Sequence, residues 1–271
     1  MYYRPAAIIG TGGFASFPIL FVGSLLRYKT YIQEQNCFAG LTNKLLSKRV
    51  DKVFVAHDGM QKFFPQKNII NYGNPVRHSL KTQSSLVVIA KSREFFSLSH
   101  NKFTILVVGG SLGAEPINKS IYRHLKLLMK DDIQLIWQTG ETEYDKYNHL
   151  HSNHCSVNKF IDRMDLAYAA SDLVISRAGA IVIAEISFLS KASILIPSPH
   201  VTDDHQTANA HYLKTNNACI LLAEKNLNTE ELINNIRKLQ DNTIRKDIGK
   251  NANKLFHYDA ADNIAKAILK T

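Results

Sequence analysis

The chain has 271 residues, is 45% hydrophobic and carries a formal charge of +10; this is enough for two α/β domains with their own cores and excludes a disordered or small disulfide-stapled protein. Cys37, Cys155 and Cys219 are odd in number, far apart and free of C-x-x-C pairing, so they read as free thiols suited to a reducing cytoplasm. Residues 1–76 hold nine Lys/Arg against three Asp/Glu, and residues 77–271 hold 24 against 20, so a basic front attracts anionic partners; nucleic acid is disfavoured, because no recognition helix, zinc-finger spacing or aromatic RNP signature appears.

From the front, the sequence enters a strand at 6–10 almost at once, with no basic and apolar leader of the secretory kind. A glycine turn, Gly10-Thr11-Gly12-Gly13, leads to a helix at 16–27. Glycines there allow close backbone approach, and a helix N-terminus presents N–H groups to an anion, but such turns are also ordinary in α/β folds. The most apolar run, 17–26, is broken by Pro18, Gly23 and Ser24 and stopped by Arg27. It could lie against a bilayer but is too short to cross one, and most of its residues are expected to pack on the sheet.

Further strands are expected at 30–33, 52–56, 69–72, 104–109, 134–138, 173–176 and 192–197. Helices are expected at 41–48, 116–129, 165–170, 180–188, 204–215, 229–240 and 260–270. Short β-branched runs alternating with longer amphipathic ones indicate parallel sheets covered by helices. The rhythm lapses between Gly73 and Lys102, which places a domain boundary near 74–78. Arg77 then stands at the junction, where it could face a phosphate across a cleft or form an interdomain ion pair.

The second domain opens on a strand and turn, Val107-Val108-Gly109-Gly110-Ser111. It lacks the Gly-Lys-Ser/Thr ending of a P-loop, and it lacks G-x-G-x-x-G with an acidic residue after the next strand. ATP hydrolysis and nicotinamide chemistry are therefore disfavoured. His149, His151, His154 and Cys155 have spacings a metal could use but lie in a polar stretch without an apolar frame. The strand at 173–176 turns through Arg177-Ala178-Gly179 into a helix carrying Glu185. A diphosphate would suit that helix N-terminus, and Glu185 reads either as a ribose acceptor or as a solvated helix residue. After the strand at 192–197, Asp203 or Asp204 could cap the next helix and aim His205 and Gln206 into a crevice.

Seven segments in order, IIGTGGFAS (8–16), QEQNCFAGLTNKLL (33–46), GNPVR (73–77), VVGGSLGAEPIN (107–118), FIDRM (160–164), SRAGAIVIAEIS (176–187) and IPSPHVTDDHQTANA (196–210), resemble the MurG family of peptidoglycan N-acetylglucosaminyltransferases. The resemblance runs through nearly the whole chain. It implies an α/β architecture of GT-B type with two Rossmann-like doubly wound domains, the N-terminal one incomplete. Residues 1–76 would form part of an acceptor- and membrane-facing domain with 258–271 packing back on it, and residues 77–257 the UDP-sugar domain.

The implied reaction moves N-acetylglucosamine from UDP-N-acetylglucosamine to an undecaprenyl-pyrophosphoryl-muramyl-pentapeptide acceptor, with inversion, on the cytoplasmic face of the membrane. No metal or organic cofactor is implied. By the same resemblance Asn36 and Gln206 would contact the donor sugar, Arg77 and Ser111 the diphosphate, the Ile161 backbone the uracil and Glu185 the ribose.

Three positions depart from the family pattern: Gln33 stands where histidine is usual, Phe14 where tyrosine is common and Val182 where a hydroxyl residue is common. A first glycine loop with its histidine has no counterpart, so the chain is expected to bind donor better than it catalyses transfer. A UDP-N-acetylglucosamine 2-epimerase and a non-catalytic remnant that binds nucleotide sugar are the competing readings.

Overall fold

The computed structural model describes residues 4–82, 86–199 and 204–270. Its strands form two parallel sheets. One holds β1 (Ala7–Gly10), β2 (Lys29–Glu34), β3 (Lys52–Val55) and β4 (Ile69–Asn71) in sequence order. The other holds β5 (Phe103–Val108), β6 (Ile133–Gln138), β7 (Cys155–Asn158), β8 (Leu173–Ser176), β9 (Ala192–Leu195) and β10 (Ile220–Leu221), in the order β10-β9-β8-β5-β6-β7. Helices α1 (Ser16–Leu25) and α2 (Leu41–Leu46) belong to the first sheet, and α3 (Leu86–Phe95) precedes the second. That sheet's connections carry α4 (Glu115–Lys130), α5 (Tyr144–Tyr147), α6 (Met164–Ala170), α7 (Ala180–Phe188) and α8 (His205–Thr215), followed by α9 (Glu231–Gln240), α10 (Asn242–Lys254) and α11 (Ala260–Leu269).

The strands of the second sheet are apolar on both faces because helices cover both. Along β5, Ile105 and Val107 enter one core with Leu135, Trp137, Leu173 and Ile175, whereas Leu106 and Val108 enter the other with Ile136, Val174 and Tyr168. This is the two-residue alternation of a pleated strand read on two buried sides. From β5 the chain moves outward to β7, then returns to place β8 on the other side of β5. The strand order therefore reverses between β5 and β8, and the crevice beyond the C-terminal ends of such a reversal is the usual ligand position in these sheets. The turns at 109–114 and 177–179 rim it.

The last helix crosses back to the first sheet, where Ile264, Ala267 and Ile268 pack with Tyr31, Phe54, Ile70 and Tyr72. Beside this crossing Gly73 adopts φ +81°, and a Cβ there would come within 2.7 Å of the His257 Cβ, so both conformation and space demand glycine.

Helix α1 departs from expectation. Only Leu20 and Gly23 are buried, and Ile19, Val22 and Leu25 are half or more exposed. They form an apolar face beside the edge strand β1, with Leu26 continuing it. Among the described residues no helix is long and apolar enough to cross a membrane.

Candidate active site

At the end of β2 the chain must turn sharply, and a buried carboxylate organises the turn. Glu34 accepts from the Asn36 N–H at 3.1 Å through Oε1, and from the Gly40 N–H at 3.0 Å and Asn43 Nδ2 at 2.8 Å through Oε2. Charge-assisted bonds of this kind fix a loop more firmly than neutral ones. Gln33, which stands in the histidine position, is only 4% exposed. Its Nε2 donates to Asn74 Oδ1 at 3.0 Å, and Asn74 Nδ2 donates to the Gln35 carbonyl at 2.9 Å. It thereby ties the loop after β2 to the GNPVR segment rather than presenting itself to the crevice. Phe14 is almost fully exposed, and Val182 packs at the edge of the second domain's core.

The turn after β5 leaves Ser111 exposed on the rim. Behind it, Gly113 and Gly140 adopt φ +86° and +85°, and a Cβ on Gly140 would lie 2.2 Å from the Gly113 nitrogen. The backbones of two neighbouring loops thus meet with no room for a side chain. Gln138, at the end of β6, joins two expected contact points: its Nε2 donates to the Gly110 carbonyl, and its Oε1 accepts from the Ile161 N–H, both at 2.9 Å. Ser111 and Ile161 are thereby held in one frame.

Arg77 and Glu185 meet across the chain. The Arg77 Nε donates to Glu185 Oε1 at 2.7 Å, and the Tyr168 hydroxyl donates to Oε2 at 2.9 Å. Glu185 is 2% exposed and Arg77 44%, which removes the reading of Glu185 as a solvated helix residue. A carboxylate can be buried there because both oxygens have partners. Burial, the neighbouring Glu185 charge and the bond to it all push the Tyr168 phenol well above its ordinary pKa, so it remains a donor. Helix α7 starts three residues beyond Arg177 with no side-chain cap at Gly179, and nothing lies within 4 Å of where a Gly179 Cβ would sit. Its first-turn N–H groups are therefore available to an anion. Arg177 itself turns away, pairing with Glu224 at 2.5 Å and the Ile196 carbonyl at 3.2 Å.

On the far rim, Gln206 lies in the first turn of α8, and its Oε1 accepts from the Ser198 N–H at 2.9 Å. Its amide nitrogen has no partner among the described residues. Asn209, one turn on, joins the two domains: its Oδ1 accepts from the Cys37 N–H at 2.9 Å, and its Nδ2 donates to Asn36 Oδ1 at 3.0 Å and the Ala178 carbonyl at 3.2 Å. The expected cap differs. Asp204 adopts φ +50° and makes no side-chain capping bond to α8, while Asp203 lies outside the described residues.

The histidine-rich stretch is a strand entry. Cys155 is buried in the core, and His151 Nδ1 lies 3.2 Å from the Val157 N–H. Burial lifts the Cys37, Cys155 and Cys219 thiols to about 12, so none is a thiolate nucleophile at neutral pH.

Residues 104–264 match the glycosyltransferase family 28 C-terminal domain, and residues 2–55 the family 28 N-terminal domain. The UDP-N-acetylglucosamine–N-acetylmuramyl-(pentapeptide) pyrophosphoryl-undecaprenol N-acetylglucosamine transferases of Flavobacterium psychrophilum and Parabacteroides distasonis are each 42% identical to this chain. Each match covers 99% of the chain and 73% of the relative. The crystal structure of Acinetobacter baumannii MurG superimposes with a TM-score of 0.77 at 27% identity, covering 98% of this chain and 74% of that one. The chain belongs to the MurG family. Membership supports the transferase reading over the epimerase one. The structure adds three residues not singled out from sequence: Asn209, Gln138 and Tyr168. Asn209 was legible as the i+3 neighbour of Gln206 on one helix face, whereas nothing in the sequence pointed from Tyr168 to Glu185.

Proposed function

We propose that the chain transfers N-acetylglucosamine from UDP-N-acetylglucosamine to a muramyl-pentapeptide pyrophosphoryl-undecaprenol acceptor, as the names of its MurG-family relatives describe. The observation that carries the site assignment is the placement of Arg77. It is anchored to α7, whose uncapped N-terminus rims the same crevice, while its outer half stays exposed.

In this reading UDP lies across the β5–β8 reversal. The Ile161 backbone meets the uracil, Ser111, Arg77 and the α7 N-terminus meet the diphosphate, and Asn36 and Gln206 meet the sugar. Glu185 is the expected ribose partner; it is 2% exposed, with Oε1 bonded to Arg77 and Oε2 to Tyr168. As the acceptor hydroxyl bonds to the anomeric carbon and the bond to UDP breaks, negative charge grows on the departing diphosphate. Fixed donors aimed at that charge lower the barrier. The exposed face of α1 with Arg27 and Lys29 would rest on the cytoplasmic membrane surface, an apolar and basic contact of the peripheral kind.

The test is transfer of labelled sugar to lipid acceptor, combined with calorimetric titration of UDP. Arg77→Ala should weaken UDP by about tenfold, the value of a lost charge-assisted bond. Unchanged UDP affinity would remove Arg77 from the diphosphate.

A further inference from the structure

Arginine and a carboxylate usually pair through two parallel bonds, which occupies one whole edge of the guanidinium. Here only Nε is used, at 2.7 Å, and the second Glu185 oxygen accepts instead from the Tyr168 hydroxyl at 2.9 Å. Among the described residues the terminal nitrogens of Arg77 make no other bond, and the side chain, at the junction of the two domains, is 44% exposed.

We infer that Tyr168 is a positioning residue for phosphate recognition: by holding Glu185 Oε2 it keeps the ion pair single-bonded, so that both terminal nitrogens of Arg77 face the diphosphate. This inference rests on the proposed contact between Arg77 and the diphosphate.

The packing supports the assignment. Tyr168 is 1% exposed in the core between α6 and the second sheet, and Glu185 is 2% exposed on α7, so neither moves without disturbing a packed helix. Burial keeps the phenol protonated, which makes it a permanent donor. With the hydroxyl gone, Oε2 becomes a buried, unpaired acceptor, and the nearest cation able to satisfy it is the same guanidinium. Arg77 is then drawn into a two-bond pair and loses part of its phosphate-facing edge.

The experiment compares UDP and uridine binding by calorimetry in the whole chain carrying Tyr168→Phe, Arg77→Ala or both. Tyr168→Phe preserves the ring in the core, and its melting curve reports whether the domain stays folded. The expected result is a loss in UDP affinity of roughly three- to tenfold, with uridine changed by less than about twofold. The loss should vanish in the Arg77→Ala background, as coupled residues require. Equal losses for UDP and uridine would place the effect on the nucleoside or on general packing and overturn the inference. Wild-type UDP affinity in Tyr168→Phe, with Arg77→Ala weakened, would overturn it while sparing the Arg77 assignment. Wild-type affinity in Arg77→Ala would overturn both.

Discussion

Asn118 is fully buried and serves three neighbours: its Oδ1 accepts from Trp137 Nε1 at 2.9 Å, and its Nδ2 donates to the Thr139 carbonyl at 2.8 Å and Glu143 Oε2 at 3.3 Å. Asn118→Ala strands a buried indole N–H and a carbonyl at once. Each unsatisfied group costs about 1–3 kcal/mol, so the variant should lose roughly 2–6 kcal/mol, seen as a lower urea midpoint at unchanged slope. An unchanged midpoint would show that the network relaxes around the deletion. Asn118 sits inside a motif legible in the sequence, VVGGSLGAEPIN, but its work is structural. A family motif marks positions that matter without separating those that touch ligand from those that hold the frame. Glu185 makes the same point: its position in SRAGAIVIAEIS was evident, and its burial behind Arg77 was not, because Arg77 and Tyr168 come from other elements.

The glycine turns separate in a way the sequence did not announce. Gly140 is held at φ +85° against the Gly113 backbone, whereas Gly179 has an ordinary φ of −70° with open space beyond it. Gly140→Ala should therefore destabilise the second domain by several kcal/mol and displace the Ser111 turn. Gly179→Ala should cost under about 1 kcal/mol, the difference between glycine and alanine at an N-cap. It should nevertheless weaken UDP binding if the new methyl group stands where phosphate approaches the helix. Urea unfolding and UDP titration on both variants check the contrast, and equal destabilisation would sink it.

Elements also show where legibility fails. Helix α3 (LVVIAKSREF) opens on β-branched residues of low helix propensity, and is held by Arg93, which bonds the Ala170 carbonyl at 3.0 Å and Asp172 at 2.8 Å. Helix α10 is largely polar, and Gly249 lets it approach the Ser190 carbonyl so closely that a Cβ would lie 2.0 Å away. Strand β7 is four residues long with polar flanks. Each is fixed by tertiary contact, which local periodicity does not report. The strands rich in β-branched residues, β5, β6 and β8, were legible within a residue or so at each end.

At the scale of the molecule, the two domains meet through partly buried polar contacts, Asn209 with Asn36 and Cys37, and through a buried histidine. His57, just beyond β3, lies edge to face with Tyr212 of α8 at 5.0 Å between ring centroids and lines a small cavity with Gly73, Ile183 and His257. Burial is the main cause that lowers its pKa from 6.5 to about 4, and His257 adds to it, against opposing contributions from Asp58 and the Gln35 backbone. Because the folded value is below the unfolded one, the unfolded chain takes up a proton between those two values that the folded chain refuses. Stability is therefore complete above pH 6.5 and falls as the pH drops toward 4. A shift of this size corresponds to a loss on the order of 3 kcal/mol at most. His57→Phe keeps a ring against Tyr212 and removes the titration, so the variant should lose less stability than the wild type between pH 7.5 and 4.5. Urea unfolding at both values measures the difference, in which the carboxylates common to both proteins cancel. Parallel losses in the two proteins would mean that His57 reaches water when folded and that the domain contact is looser than its burial indicates.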